Sequence, residues 1–192
     1  MPKISADSLA EHREAVLSAL MDGTVRILLS DGERRLTAAS VAAEAGIARN
    51  SIYRYVSSVD DLVELVVARG FQEWTAQVRA DVDAARDPRA AVVAYVRSNL
   101  TLAASGEHAL QSSLAGAGLS DSARERMVDF HRQITAVLTD AVGALGARQP
   151  ELIVVAIQSL VDSALGLVGP GEDSEQVIDF MADATRAILE TR

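Results

Sequence analysis

"VAAEAGIARNSIYRYV" occupies residues 41–56. Small and apolar residues recur at helical spacing up to Ala45, Gly46 interrupts them, and a second short run carries Arg49, Tyr53, Arg54 and Tyr55. Two short helices that cross steeply about a tight turn need a small residue on the first helix and a glycine between them. Ala42 and Gly46 stand at those places, and Val41, Ala45, Ile47 and Ile52 form the small core beneath. With Ile52 turned inward, helical spacing leaves Arg49, Asn50, Ser51, Arg54 and Tyr55 available to a partner. Arginine and asparagine pair with base edges, while hydroxyls suit phosphate oxygens. A helix seated in a major groove presents its N-terminal residues to the bases, and Arg49 and Asn50 are there. The stretch therefore predicts a helix-turn-helix, although a helical hairpin with a solvated polar face has the same periodicity.

Charge is divided unevenly around this stretch. Up to Ser58 the chain holds seven basic and seven acidic residues; from Val59 onward eleven arginines face twenty acids, which accounts for the whole net charge of −9. Such an excess opposes loose binding of nucleic acid over the entire surface. The asymmetry predicts two parts, a DNA-binding domain over 1–57 and a helical regulatory domain over 58–192. The chain has no cysteine, its N-terminus has no apolar signal-like run, and its apolar runs "LIVVAI" and "LVELVVA" fall well short of a span. A cytoplasmic protein with no membrane association is expected.

Helical periodicity dominates and no segment sustains period-two alternation, so the fold class expected is all-α with about nine helices. The first helix should cover 8–29. Thr37 is a suitable N-cap for a second, with Gly46 at the position past its end where a left-handed backbone is required. A third should run over 49–56. Ser57 or Ser58 caps a long fourth helix, and Pro88 fits the first turn of a fifth. A short helix is expected over 107–115, then long ones over 120–145 and from Pro150, and a last one to the C-terminus.

"LTAASVAAEAGIARNSIYRYVSSVDDL", residues 36–62, resembles the DNA-binding segment of TetR-family transcriptional regulators. Thr37, Val41 and Ala42, Ala45 to Ile47, Ser51, Tyr53, Tyr55, Ser58 and Leu62 match that pattern. The chain departs from it at Ala48, where the family has Ser or Thr, at Val56, where it has Phe, and at Val59, where a lysine clamps phosphate. The resemblance implies that Thr37, Tyr53 and Ser58 join Arg49, Asn50, Ser51, Arg54 and Tyr55 on DNA. Arg34 and Arg35 can add backbone contacts or form a solvated loop pair; both readings fit.

The same resemblance implies a larger domain that dimerises and encloses a ligand. The residues lend support of their own. "LIVVAIQSLVDSALGLV" is apolar nearly all round, so most of its sides are buried. The last helix places Val177, Phe180 or Met181, Ala184 and Ile188 on one stripe. Two such helices from each of two subunits would make a twofold interface and set two reading heads on a palindromic operator. Pocket candidates are apolar helices bearing a few polar groups: Tyr95 with Asn99, His131, and Gln158 with Asp162, joined by Phe71 and Trp74 from positions that line the family's cavity. Each also fits an ordinary core or seam role.

The function expected is a ligand-responsive DNA-binding regulator, a homodimeric repressor of a palindromic operator released by a small-molecule effector. The alternative is a helical small-molecule- or partner-binding protein without specific DNA binding. With three histidines at no metal-binding spacing, no phosphate loop and no nucleophile elbow, neither enzyme activity nor a cofactor or metal is expected.

Overall fold

The computed structural model describes residues 6–30, 35–105, 121–169 and 173–190. These form α1 (Ala6–Leu28), α2 (Ala38–Glu44), a 3₁₀ helix (Arg49–Arg54), α3 (Val59–Asp83), α4 (Pro88–Ala104), α5 (Asp121–Gly143), α6 (Pro150–Leu165) and α7 (Asp173–Glu190). The described residues contain no strand, as the helical periodicity required. The short helix expected over 107–115 lies outside the described residues. The chain divides into two compact units, Met1–Arg69 and Gly70–Arg192, with the boundary inside α3.

In the first unit, Leu20 and Ile27 of α1 are buried with Val41, Ile52, Val56 and Leu62. α2 starts on a capping box: Thr37 Oγ1 accepts from the Ser40 N–H at 3.1 Å, and Ser40 Oγ accepts from the Thr37 N–H at 3.0 Å. It ends where Gly46 takes φ +69°, a left-handed turn that glycine enters without a Cβ penalty. That turn lets the Ile47 N–H reach back to the Ala42 carbonyl at 2.9 Å.

α1 and α2 come close at Gly23. A Cβ there would lie 2.9 Å from Glu44 Cβ, so the glycine is required by the approach and not by its own backbone. Beside it Arg26 Nε meets Glu44 Oε2 at 3.0 Å, and one turn earlier Asp22 takes Arg69 of α3 at 2.8 Å.

Residues 49–54 form a 3₁₀ helix, where an α-helix was expected over 49–56. Ala48, in place of a capping Ser or Thr, makes no side-chain bond to the helix start. The segment instead closes i to i+3 bonds, from the Ser51 N–H to the Ala48 carbonyl and from the Tyr55 N–H to the Ile52 carbonyl, at 2.8 and 2.9 Å. α3 begins on Ser58, whose hydroxyl accepts from the Asp61 N–H at 2.9 Å.

In the second unit, Trp74, Val78, Tyr95, Val96, Leu100, Leu138, Ile157 and Val161 are buried in one core drawn from α3 to α6, which α7 joins through Ile178. Asp87 caps α4 by accepting from the Ala90 N–H at 2.8 Å, with Pro88 as its first residue. That backbone bond is the main reason the Asp87 carboxyl sits below its usual pKa.

One packing expectation changes. α6 is not buried all round: Ile157, Val161 and Ala164 face the core, but Leu152 and Val155 are 60% and 62% exposed. On α7 the deepest residues are Ile178, Ala182, Thr185 and Leu189, while Val177, Met181, Ala184 and Ile188 are half-buried and Phe180 is 69% exposed. Apolar residues stand next to each other on this helix, so its rotation is decided by what it packs against.

Gly23→Val should lower the unfolding free energy by about 1–3 kcal/mol, since α1 and α2 must part to admit the side chain. Gly166→Ala, with nothing within 4 Å and φ −79°, should stay within about 0.5 kcal/mol of the parent. Denaturant titration of the two variants checks the contrast.

Candidate functional site

The 3₁₀ helix is turned by one buried residue. Ile52 is 1% exposed, and a repeat of three residues per turn puts Tyr55 in line with it. Tyr55 is accordingly half-buried against the first unit's core, while Arg49, Asn50, Tyr53 and Arg54 are exposed and Ser51 is intermediate. Tyr53, at 57%, is the most outward of the aromatics in the stretch. These side chains offer two guanidinium groups, an amide, a phenol and a hydroxyl along a helix of six residues. That set can pair with base edges and phosphates.

The flanking candidates differ in how free they are. Thr37 and Ser58 already use their hydroxyls as helix caps, so they shape the start of α2 and of α3. Arg35 is exposed, and its carbonyl accepts from Ser40 Oγ at 2.8 Å. Arg34 lies outside the described residues. Val59, at the family's lysine position, is half-buried and packs on the first unit's core.

Arg13 of α1 was not read from the sequence as part of this surface. Its Nη1 donates to the Arg54 carbonyl at 3.0 Å, and its guanidinium carbon lies 5.7 Å from the centre of the Tyr55 ring. A lone basic residue on the polar side of a helix, 41 positions away, carries no local signal of such a contact.

In the second unit five of the seven pocket candidates join into one hydrogen-bonded chain. Trp74 Nε1 donates to Asn99 Oδ1 at 2.9 Å, and Asn99 Nδ2 donates to the Tyr95 carbonyl at 2.8 Å. The Tyr95 hydroxyl donates to Gln158 Oε1, and Gln158 Nε2 to Asp162 Oδ1, both at 2.8 Å. The chain runs from α3 through α4 to α6, buried at Trp74 and Asn99 and exposed at Asp162. Burial, reinforced by the negative charge of Asp162, pushes the Tyr95 phenol well above its usual pKa, so it remains a donor.

The other two candidates stand apart from this chain. Phe71 stacks on Phe130 with ring centres 4.2 Å apart, and exposed His131 meets the edge of Phe130 while its Nδ1 lies 2.8 Å from the Met127 carbonyl. A cleft of about 530 Å³ elsewhere in the unit is lined by Val93, Ala94, Arg97, Arg186 and Leu189, and by none of the seven. No group of three or more metal-ligating side chains occurs among the described residues, and no described helix is long and apolar enough to cross a membrane.

No family sequence model matches the chain, and no curated protein matches it. Solved structures do. A TetR-family transcriptional regulator from Streptomyces coelicolor superposes with a TM-score of 0.74 at 18% identity, over 98% of this chain and 95% of that one. The superantigen PfiT gives 0.72 at 18% identity, over 93% and 98%. AibR, in complex with isovaleryl coenzyme A and operator DNA, gives 0.66 at 17% identity, over 88% and 97%. The resemblance seen in residues 36–62 is thus matched in three dimensions: the fold of this chain is the one found in TetR-family transcriptional regulators.

Replacing Trp74 with Phe removes the donor to a buried amide oxygen and should cost about 1–3 kcal/mol in a denaturant titration. Tyr95 gives a pH signature. Its folded pKa is raised, so its contribution is fully present below the unfolded phenol pKa of ~10 and is lost as pH rises above it. The unfolding midpoint of the parent should therefore fall more steeply above pH ~10 than that of Tyr95→Phe.

Proposed function

We propose that this protein is a DNA-binding transcriptional regulator of the TetR type, a homodimeric repressor that holds a palindromic operator and is released by a small-molecule effector. The observation that carries the reading is the short helix whose inner face is Ile52 and whose outer face is Arg49, Asn50, Tyr53 and Arg54. Fold likeness alone is weaker support, since a superantigen has the same fold.

Arg49 and Asn50, at the start of the helix, read base edges. Tyr53, Arg54, Ser51 and Tyr55 hold phosphate and sugar, and Thr37, Ser58 and Arg35 set or extend that backbone grip. The exposed apolar side chains of α6 and α7, Leu152, Val155 and Phe180, support a twofold partner, because a single chain leaves them in water. Two copies would then present two reading heads one helical turn, ~34–36 Å, apart.

Effector response is assigned to the second unit. A ligand that competes for the Trp74–Asn99–Tyr95–Gln158–Asp162 chain exchanges protein hydrogen bonds for its own. α3 carries both Trp74 and Leu62, which belong to the cores of the two units, so a change in α3 reaches the reading helix's support. Coupling of about 1–3 kcal/mol corresponds to roughly 5–150-fold release. The similarity to AibR, described with an acyl-coenzyme A and operator DNA, supports a regulator that answers to a small molecule.

One observation favours the alternative of a ligand- or partner-binding protein that reads no DNA. Val59 serves the core at the position where the family's lysine grips phosphate, and Asp60 and Asp61 follow it. Duplex selection from a random library, with Kd measured at two salt concentrations, decides between them. A selected palindrome is expected. Arg49→Ala should weaken it by roughly 5–150-fold, at about 1–3 kcal/mol per lost base contact, and relax one base position. Arg54→Ala should weaken all duplexes alike and reduce the log–log salt slope by about 0.9. An empty selection would leave the alternative standing.

A further inference from the structure

We propose that Arg13 is a positioning residue for DNA reading: from α1 it clamps the end of the 3₁₀ helix and holds the reading face in register without itself touching DNA. The inference rests on the DNA-reading role proposed above.

The helix it serves is poorly held by its own bonds. It has six residues, far below the ~12–15 at which an isolated helix becomes even marginal in water. Its N-terminus has no side-chain cap, because Ala48 has no oxygen to offer. Ile52 anchors the middle and fixes rotation, and just past the helix Tyr55 and Val56 pack on the same core, which leaves the polar backbone of the last turn to be satisfied from outside.

At the C-terminal end the Tyr55 and Val56 N–H groups both turn to the Ile52 carbonyl, at 2.9 and 3.2 Å. Two residues on, the carbonyl of Arg54, the last residue of the helix, accepts from Arg13 Nη1 at 3.0 Å. The same guanidinium lies within cation–π range of the Tyr55 ring, which also packs on the core. One side chain thus binds the last helical carbonyl and the first aromatic beyond it. A planar guanidinium can make both contacts at once, which an ammonium cannot do with equal geometry. Arg13 is therefore the polar counterpart of Ile52: the isoleucine sets which face is out, and the arginine sets where that face ends.

A direct phosphate contact and a positioning role make opposite statements about salt. Neutralising a residue that binds phosphate reduces the log–log salt slope by about 0.9, whereas loosening the helix lowers affinity at every salt and leaves the slope alone. The full-length protein and its Arg13→Gln and Arg13→Lys variants are titrated with the duplex recovered by selection at several salt concentrations. Amide hydrogen exchange is followed in the absence of DNA. Arg13→Gln should weaken specific binding about five- to twentyfold with an unchanged slope, since both contacts it loses lie at the exposed surface. Arg13→Lys should recover part of the loss, since the ammonium keeps the ring contact.

In the exchange arm, the amides of Ser51, Tyr55 and Val56 should open about fivefold faster or more in Arg13→Gln, with those around Leu20 and Leu62 unchanged. A slope lowered by about one would make Arg13 a phosphate ligand and overturn the proposal. Faster exchange shared equally by α1, α2 and α3 would reduce it to general stability, and unchanged exchange at 51–56 would remove the clamp. If the parent protein selects no duplex, the regulator reading fails while the exchange arm still decides whether Arg13 holds the helix.

Discussion

A helix of six residues without a side-chain cap cannot hold itself in place, and the first unit is organised around supplying that hold from outside. Ile52 provides the apolar part, closing on Val41, Leu20, Val56 and Leu62 from three other helices or their flanks. Each of those neighbours is in turn placed by a local device. Thr37 and Ser40 start α2, Gly46 turns the chain back, and Gly23 lets α1 come close enough for the small core to close. The outward face of the 3₁₀ helix is thus a consequence of inward packing. Its arginines and asparagine are exposed because the isoleucine between them is not.

The second unit uses polar atoms in its interior differently. Trp74 and Asn99 are buried, and a buried donor or acceptor without a partner costs more than a satisfied one contributes. Their mutual bond, continued through Tyr95 and Gln158 to Asp162, leads the polarity outward to solvent along one line. Such a line specifies how α3, α4 and α6 pack, since a slip of any one helix breaks a hydrogen bond as well as a contact. It also gives a competing ligand a ready set of donors and acceptors. The regulatory reading draws on this property.

Charge follows the same division. The acids of the second unit take part in caps and surface pairs, as Asp87 does at the start of α4 and Asp179 does with Arg97. The chain up to Ser58 is balanced in sign, and the short helix presents Arg49 and Arg54 with no acid on the same helix. Under the proposed DNA-binding role, steering toward phosphate would come from the placement of these few guanidinium groups, against a whole-chain net charge of −9.

Much of what depends on neighbours in the chain was legible in the sequence, though not the 3₁₀ form of residues 49–54. Thr37 as a cap, Gly46 as a left-handed turn, Ser58 and Pro88 as helix starts, and Ile52 inward with Arg49 and Asn50 outward all follow from spacings of three or four residues, where one helical turn sets the contact. What joins distant segments was not legible. Gly23 reads as a weak point in α1 until Glu44 stands against it, and Arg13 reads as solvated surface until Arg54 and Tyr55 arrive from 41 residues on. Tyr95 and Gln158, 63 apart, were picked out separately, and only packing made them a bonded pair. On α6 apolar residues surround most of the helix, so periodicity leaves the rotation open. Tertiary packing chose it, turning Ile157 inward and leaving Val155 outward, because a helix with several apolar faces has no preferred side until another surface covers one.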